Sequence, residues 1–179
     1  SKLKKIGILN LSQAKELGLG HWDMSRLVKA EKLLRVARGL YLHPHSKISS
    51  ETIGFQIACA KFGPKSAIAG LSALFHYRLI EQVPTKTWVL VASQTKSRER
   101  SYRLLRSSSN QDVGVIQKNG FRIVTIERAI VEGLKYSSKI GERTALAAAR
   151  TALARNETNE MKLGQMAKDL GYRASFQKH

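Results

Sequence analysis

The sequence predicts an α+β protein in two parts, and three observations carry that prediction. Residues 11–41 (LSQAKELGLGHWDMSRLVKAEKLLRVARGLY) place two helical stretches and two short strands around glycines. The middle of the chain carries short apolar runs bounded by turn residues, among them Thr87–Ser93 and Phe121–Val124. From Thr125 onward the pattern turns helical, with an alanine-rich stretch (TALAAARTALA). The order helix, turn, helix, hairpin in the first part is that of a winged helix-turn-helix. A mixed-sheet α+β domain with a helical C-terminal part follows. The expected domains are 1–45 and 46–179.

Taken in order, Ser12 is placed to cap a short helix through Leu17, with Gly18 and Gly20 in the turn. Asp23 is placed to cap a second helix running to about Lys32. On it Met24, Leu27 and Val28 form an inward stripe, while Trp22, Ser25, Arg26 and Lys29 share the opposite face. Leu34–Val36 and Leu40–Leu42 make a hairpin about Ala37-Arg38-Gly39, the wing. Pro44 interrupts regular structure, so His43–Lys47 is expected to be a linker. Ser49 or Ser50 caps a helix through Phe62, Ala67–Ala69 is a short strand, and Gly70 opens a helix to about Tyr77. Strands follow at Thr87–Ser93, Ser101–Arg106, Val113–Gln117 and Phe121–Val124, the last two joined by Asn119-Gly120. Thr125 caps a helix through Lys135; further helices are expected over Gly141–Arg155, over the stretch from Asn159 to Leu170, and from Arg173 onward.

Charge is the compositional outlier. The chain has 179 residues with 31 Lys+Arg against 13 Asp+Glu, a net charge of +18, yet its hydrophobic content of 42% is that of a folded protein. The excess is spread along the chain: net +7 over Ser1–Lys47, +7 over Ile48–Ile123 and +4 over Val124–His179. A polyanion is the natural partner of such a surface. No apolar run approaches bilayer length, and SKLKKIGIL lacks the core of a signal peptide, so no membrane partner is expected. The single cysteine, Cys59, lies in an apolar stretch and suits a reducing, cytoplasmic setting.

The residues that suit DNA contact are Trp22, Ser25, Arg26 and Lys29 on the second helix, Lys32 after it, and Arg35 and Arg38 on the wing. Arginine can read guanine with two hydrogen bonds, whereas lysine and serine more often hold phosphates. A second basic segment contributes Lys96, Arg98, Arg100, Arg103 and Arg106, either a phosphate-tracking surface or an ordinary charged loop. His76 sits in an apolar helix and reads as a packing residue. Nothing marks a catalytic nucleophile, a metal site, a phosphate loop or a cofactor site. The three aspartates (Asp23, Asp112, Asp169) are far apart, and Asp112 with Glu160 is a poor match to a cation site, so an enzyme is disfavoured.

Three blocks in order resemble the AbiEi-type antitoxin family of type IV toxin–antitoxin systems. They are LVKAEKLLRVARGLY, Gly70-Leu71-Ser72-Ala73-Leu74 with His76 and Gln82-Val83-Pro84, and Thr125-x-Glu127-Arg128 running into Ile130-Val131-Glu132. Glu31 stands where the family often has a glycine closing the second helix, which is why that helix is expected to run on. The resemblance implies an N-terminal domain that binds operator DNA and represses its own operon. It also implies a C-terminal domain that contributes to antitoxicity against a nucleotidyltransferase-like toxin, without requiring direct contact with it. A two-fold operator would call for a dimer on DNA. The rival readings are a winged-helix-linked nuclease acting on DNA and a binding module for RNA or a protein.

Overall fold

The computed structural model describes residues 7–107 and 111–172, so the helix expected from 173 lies outside the described residues. The chain forms an α+β fold in two compact units, Ser1–Pro64 and Lys65–His179.

In the first unit the described elements are β1 (Leu9–Asn10), α1 (Leu11–Glu16), α2 (His21–Lys29), β2 (Leu34–Ala37), β3 (Leu40–Leu42) and α3 (Ile53–Phe62). β3 is the central strand of an antiparallel sheet ordered β1-β3-β2. Asn10, rather than Ser12, caps α1. Its Oδ1 accepts the Gln13 N–H at 2.8 Å while Gln13 Oε1 accepts the Asn10 N–H at 3.0 Å, a reciprocal box that Ser12 could not close with Lys15. α2 likewise starts earlier than expected, after Gly20. Asp23 is its third residue and reaches back to accept the Gly20 N–H at 2.9 Å.

α2 stops at Lys29 instead of continuing towards Lys32. The Lys32 N–H donates to Leu27 O at 2.9 Å and the Glu31 N–H to Val28 O at 3.0 Å, a Schellman closure. Glu31 supplies the left-handed residue of that closure, with φ of 56°. Glu31 therefore takes the conformation that glycine ordinarily takes at such a closure.

The core of this unit gathers Leu9, Ala14, Met24, Leu33 and Tyr41, with Leu19, Leu27 and Val28 packed against it. Full burial of a side chain the size of Met24 stabilises by about 1.5–3 kcal/mol. α3 follows Thr52 rather than Ser49 or Ser50; the Ser49 hydroxyl instead accepts the Glu51 N–H at 3.2 Å within the preceding turn. α3 packs against β3, so it belongs to the first compact unit although it lies beyond residue 45.

The second unit contains β4 (Ala67–Ile68), α4 (Gly70–His76), β5 (Thr87–Ala92), β6 (Tyr102–Ser107), β7 (Val115–Lys118), β8 (Phe121–Val124), α5 (Ile126–Lys135), α6 (Ser137–Ile140), α7 (Glu142–Ala154) and α8 (Glu160–Asp169). Its sheet runs β6-β5-β4-β8-β7; β5/β6 and β4/β8 are parallel and the other pairs antiparallel. The β7–β8 turn uses positive φ at Asn119 (46°) and Gly120 (84°), as its dipeptide predicts. α5 is the buried hub, packing against α4, α7 and α8. α7 buries Ala145, Ala148 and Ala152, so its alanines serve as core, and their small size allows close helix approach.

The Gly70-Leu71-Ser72 block has a structural role. Ser72 Oγ accepts the Trp88 N–H at 2.9 Å and donates to Lys86 O at 3.4 Å, stitching α4 to β5. Gly70 has φ of +53°, and a Cβ there would lie 2.6 Å from Trp88 Cε3. Only glycine meets both demands.

Candidate nucleic-acid interface

α2 is amphipathic by its spacing. Met24 is buried, Leu27 and Val28 pack on the core, and Trp22, Ser25, Arg26 and Lys29 project outward at i, i+3, i+4 and i+7. Trp22 is 87% exposed, an uncovered indole at the start of the helix. The Lys32 side chain is exposed just past the Schellman turn. Arg35 is exposed on β2 and Arg38 in the hairpin turn, beside Gly39 with its φ of 73°. A bulge between Arg35 and Ala37 interrupts the β2–β3 register, and β1 braces β3 from its other edge. All seven predicted contact residues are thus exposed in one compact unit, four of them on a single helical face.

The electrostatics add a feature that periodicity did not reveal. Arg26 Nη2 pairs with Asp23 Oδ1 at 2.9 Å, while Asp23 Oδ2 holds the Gly20 N–H. One carboxylate therefore closes the helix start and orients the arginine above it. The Arg26 side chain remains 81% exposed, and an ion pair so accessible contributes only a few tenths of a kcal/mol to about 1 kcal/mol. Exchange of that partner for a base edge or a phosphate is energetically open.

The second basic segment does not form one face. In the parallel β5–β6 register Trp88 pairs with Arg103 and Val91 with Arg106, so strand alternation puts Arg103 and Arg106 on opposite sides of the sheet. The Arg103 guanidinium lies over the Trp88 ring at 5.7 Å. Arg106 Nε instead donates to Thr95 O at 3.0 Å, on the crossover joining the two strands. Lys96, Arg98 and Arg100 are exposed on that crossover.

Elsewhere, His76 stacks edge-on against Tyr77 and Phe121, with ring centroids 5.4 and 5.8 Å away. Asp112 is paired with Arg122. Among the described residues no three His, Cys, Asp or Glu side chains gather as a metal site requires, and no helix is long and apolar enough to cross a membrane.

Two features of the second unit escaped the sequence reading. Arg128 and Glu132, one turn apart on α5, form an ion pair at 2.9 Å with side-chain exposures of only 1% and 2%. Arg128 also donates to Val113 O, while Glu132 Oε2 has no hydrogen-bond partner among the described residues. Burial holds the Glu132 carboxyl above the usual carboxylate range, against the opposing pull of Arg128. The signal was present as Arg and Glu at i,i+4 flanking the apolar run Ala129–Val131. The second feature is Tyr77, whose hydroxyl donates to Val124 O at 2.8 Å. Burial, aided by the Glu127 carboxylate, pushes its pKa up to about 12.

No protein-family model and no curated protein matches the sequence. Among solved structures, the RV2827C protein from Mycobacterium tuberculosis is similar in fold, with 12% sequence identity and a TM-score of 0.60. The match covers 92% of this chain and 67% of that one. At that identity the likeness speaks for a shared α+β fold alone.

Proposed function

We propose that this chain is a DNA-binding antitoxin of a type IV toxin–antitoxin system, acting in the cytoplasm. In this reading it represses its own operon and counteracts a nucleotidyltransferase-like toxin. The first unit is read as a winged helix-turn-helix, with α2 as recognition helix and the β2–β3 hairpin as wing. The observation that carries the reading is the uncovered face of α2, where Trp22, Ser25, Arg26 and Lys29 stand together while the opposite stripe closes a core. The charge of the chain, +18, and the three family-like sequence blocks support it.

α2 enters the major groove, with Arg26 reading a base edge and Ser25 and Lys29 holding phosphates. Arg35 and Arg38 reach the adjacent backbone or a narrow minor groove. A reporter placed behind the DNA upstream of the chain's own gene tests this. The chain should repress the reporter, and the adjacent gene should encode a nucleotidyltransferase-like product whose growth arrest the chain relieves. Full reporter expression in its presence would refute autorepression, and persistent arrest would refute antitoxicity.

A further inference from the structure

We propose that the crossover between β5 and β6 is a second DNA-binding element: a basic ribbon, centred on Lys96, Arg98 and Arg100, that grips the phosphate backbone of duplex DNA without reading sequence. Parallel strands are ordinarily joined by a dozen or more residues folded as a helix. Here residues 93–101 alone make the connection. Turns close its two ends, with the Thr95 N–H donating to Ala92 O at 3.0 Å and the Tyr102 N–H to Glu99 O at 3.4 Å. The residues between them recross the length of β5, about 20 Å for six strand residues, with a further turn at Ser97, whose hydroxyl accepts the Glu99 N–H at 3.2 Å.

Arg106 pins the ribbon's first end through its bond to Thr95 O at 3.0 Å. Thr95 and Ser97 are half-buried, whereas Lys96, Arg98, Glu99 and Arg100 are exposed, so the strip turns its charged side chains outward. The three cations lie within five consecutive residues. A DNA strand presents a phosphate every 3.4 Å or so along its axis, so the strip can meet several of them at once. Among the described residues the side chains of Lys96, Arg98 and Arg100 make no ion pair or hydrogen bond, so they are available to a ligand.

The chemistry of the strip selects its partner. Residues 93–101 (SQTKSRERS) contain no apolar side chain to insert into a lipid surface and no aromatic ring on which an unpaired base could stack. The strip's three cations outnumber the single carboxylate, Glu99, and serine, threonine, lysine and arginine are what phosphate oxygens attract. A duplex backbone satisfies all of this. The site is distinct from the α2 face and needs no base reading by it.

The test uses the full chain and random-sequence duplex DNA, with affinity followed by fluorescence anisotropy between about 50 and 200 mM salt. Variants are Lys96→Gln/Arg98→Gln/Arg100→Gln, the charge-keeping Arg98→Lys/Arg100→Lys, and Arg26→Ala/Lys29→Ala. Loss of three phosphate contacts should make the slope of log affinity on log salt shallower by about 2.7. Over that fourfold change in salt, wild-type affinity should then fall about 40-fold more than that of the glutamine variant. The lysine variant should keep the wild-type slope, and the glutamine changes should have the same effect when added to Arg26→Ala/Lys29→Ala. That last comparison separates failure of the ribbon from failure of α2. An unchanged slope in the glutamine variant, with its thermal unfolding intact, would overturn the proposal. So would lost binding to a polyglutamate peptide with none lost to DNA.

Discussion

Glu31→Gly should stabilise the first unit by relieving a left-handed backbone at the end of α2. Glu31 has φ of 56° at the Schellman closure of α2, a conformation that costs an L-residue about 1–2 kcal/mol. Glycine removes that cost but loses more backbone freedom on folding, returning about 0.5–1 kcal/mol. The two ranges leave a net gain of about 0–1.5 kcal/mol, with about 0.5–1 kcal/mol as its middle. Native-state amide exchange at Met24, whose N–H bonds to Gly20 O at 3.0 Å inside α2, should slow by a factor of about 2–5. Because glutamate also carries charge, Glu31→Gln is the control: it neutralises the side chain while keeping the Cβ, and should leave exchange nearly unchanged. Equal slowing in both variants would assign the effect to charge and refute the backbone argument. Faster exchange in Glu31→Gly would refute the closure itself.

Other expectations follow from the second unit. Gly70→Ala combines a left-handed φ of +53° with a Cβ placed 2.6 Å from the Trp88 ring, so urea unfolding should register a loss of about 2–4 kcal/mol. Arg128→Met should cost about 3–5 kcal/mol at neutral pH, because it strands the buried Glu132 carboxylate. Glu132 also sets a pH dependence. Its folded pKa is raised, so its contribution to stability is present in full below the unfolded carboxyl value and is lost as pH rises through the folded one. Wild-type stability relative to Glu132→Gln should therefore decline from acid towards alkaline pH in urea titrations; a flat difference would show that the pKa is unshifted.

Much of the fold could be read from local chemistry, and the misreadings have specific causes. Periodicity placed Met24, Leu27 and Val28 inward because a helix facing a core has little choice. Asn119-Gly120 and Thr125 were legible for the same reason: the turn and the cap each depend on one or two side chains. Cap identity was lost where two cap-forming residues lie close together. Asn10 won over Ser12 because Gln13 returns its hydrogen bond, and Asp23 resembles a cap while serving as the third helical residue. The end of α2 was misread because a left-handed glutamate is rare, so only the hydrogen bonds of Lys32 and Glu31 reveal it.

The outward face of α2 was legible because helical spacing governs it, and the split of the second basic segment was not, because strand parity governs it. Arg103 and Arg106 are three apart, which on a strand means opposite faces, but a linear count of basic residues cannot register that. The Arg128–Glu132 pair was hidden because an i,i+4 pair of that kind ordinarily lies in solvent. α6 is a single turn, too short to carry a period.

The exposed face of α2 is proposed to read operator DNA. The most direct measurement is the affinity of Arg26→Ala/Lys29→Ala for the chain's own upstream DNA, set beside its affinity for a random duplex. Loss of a base-reading arginine should cost about 1–3 kcal/mol on the operator and much less on the random sequence, narrowing the ratio between them. An operator affinity and a specificity ratio that both stay at the wild-type level would contradict the account.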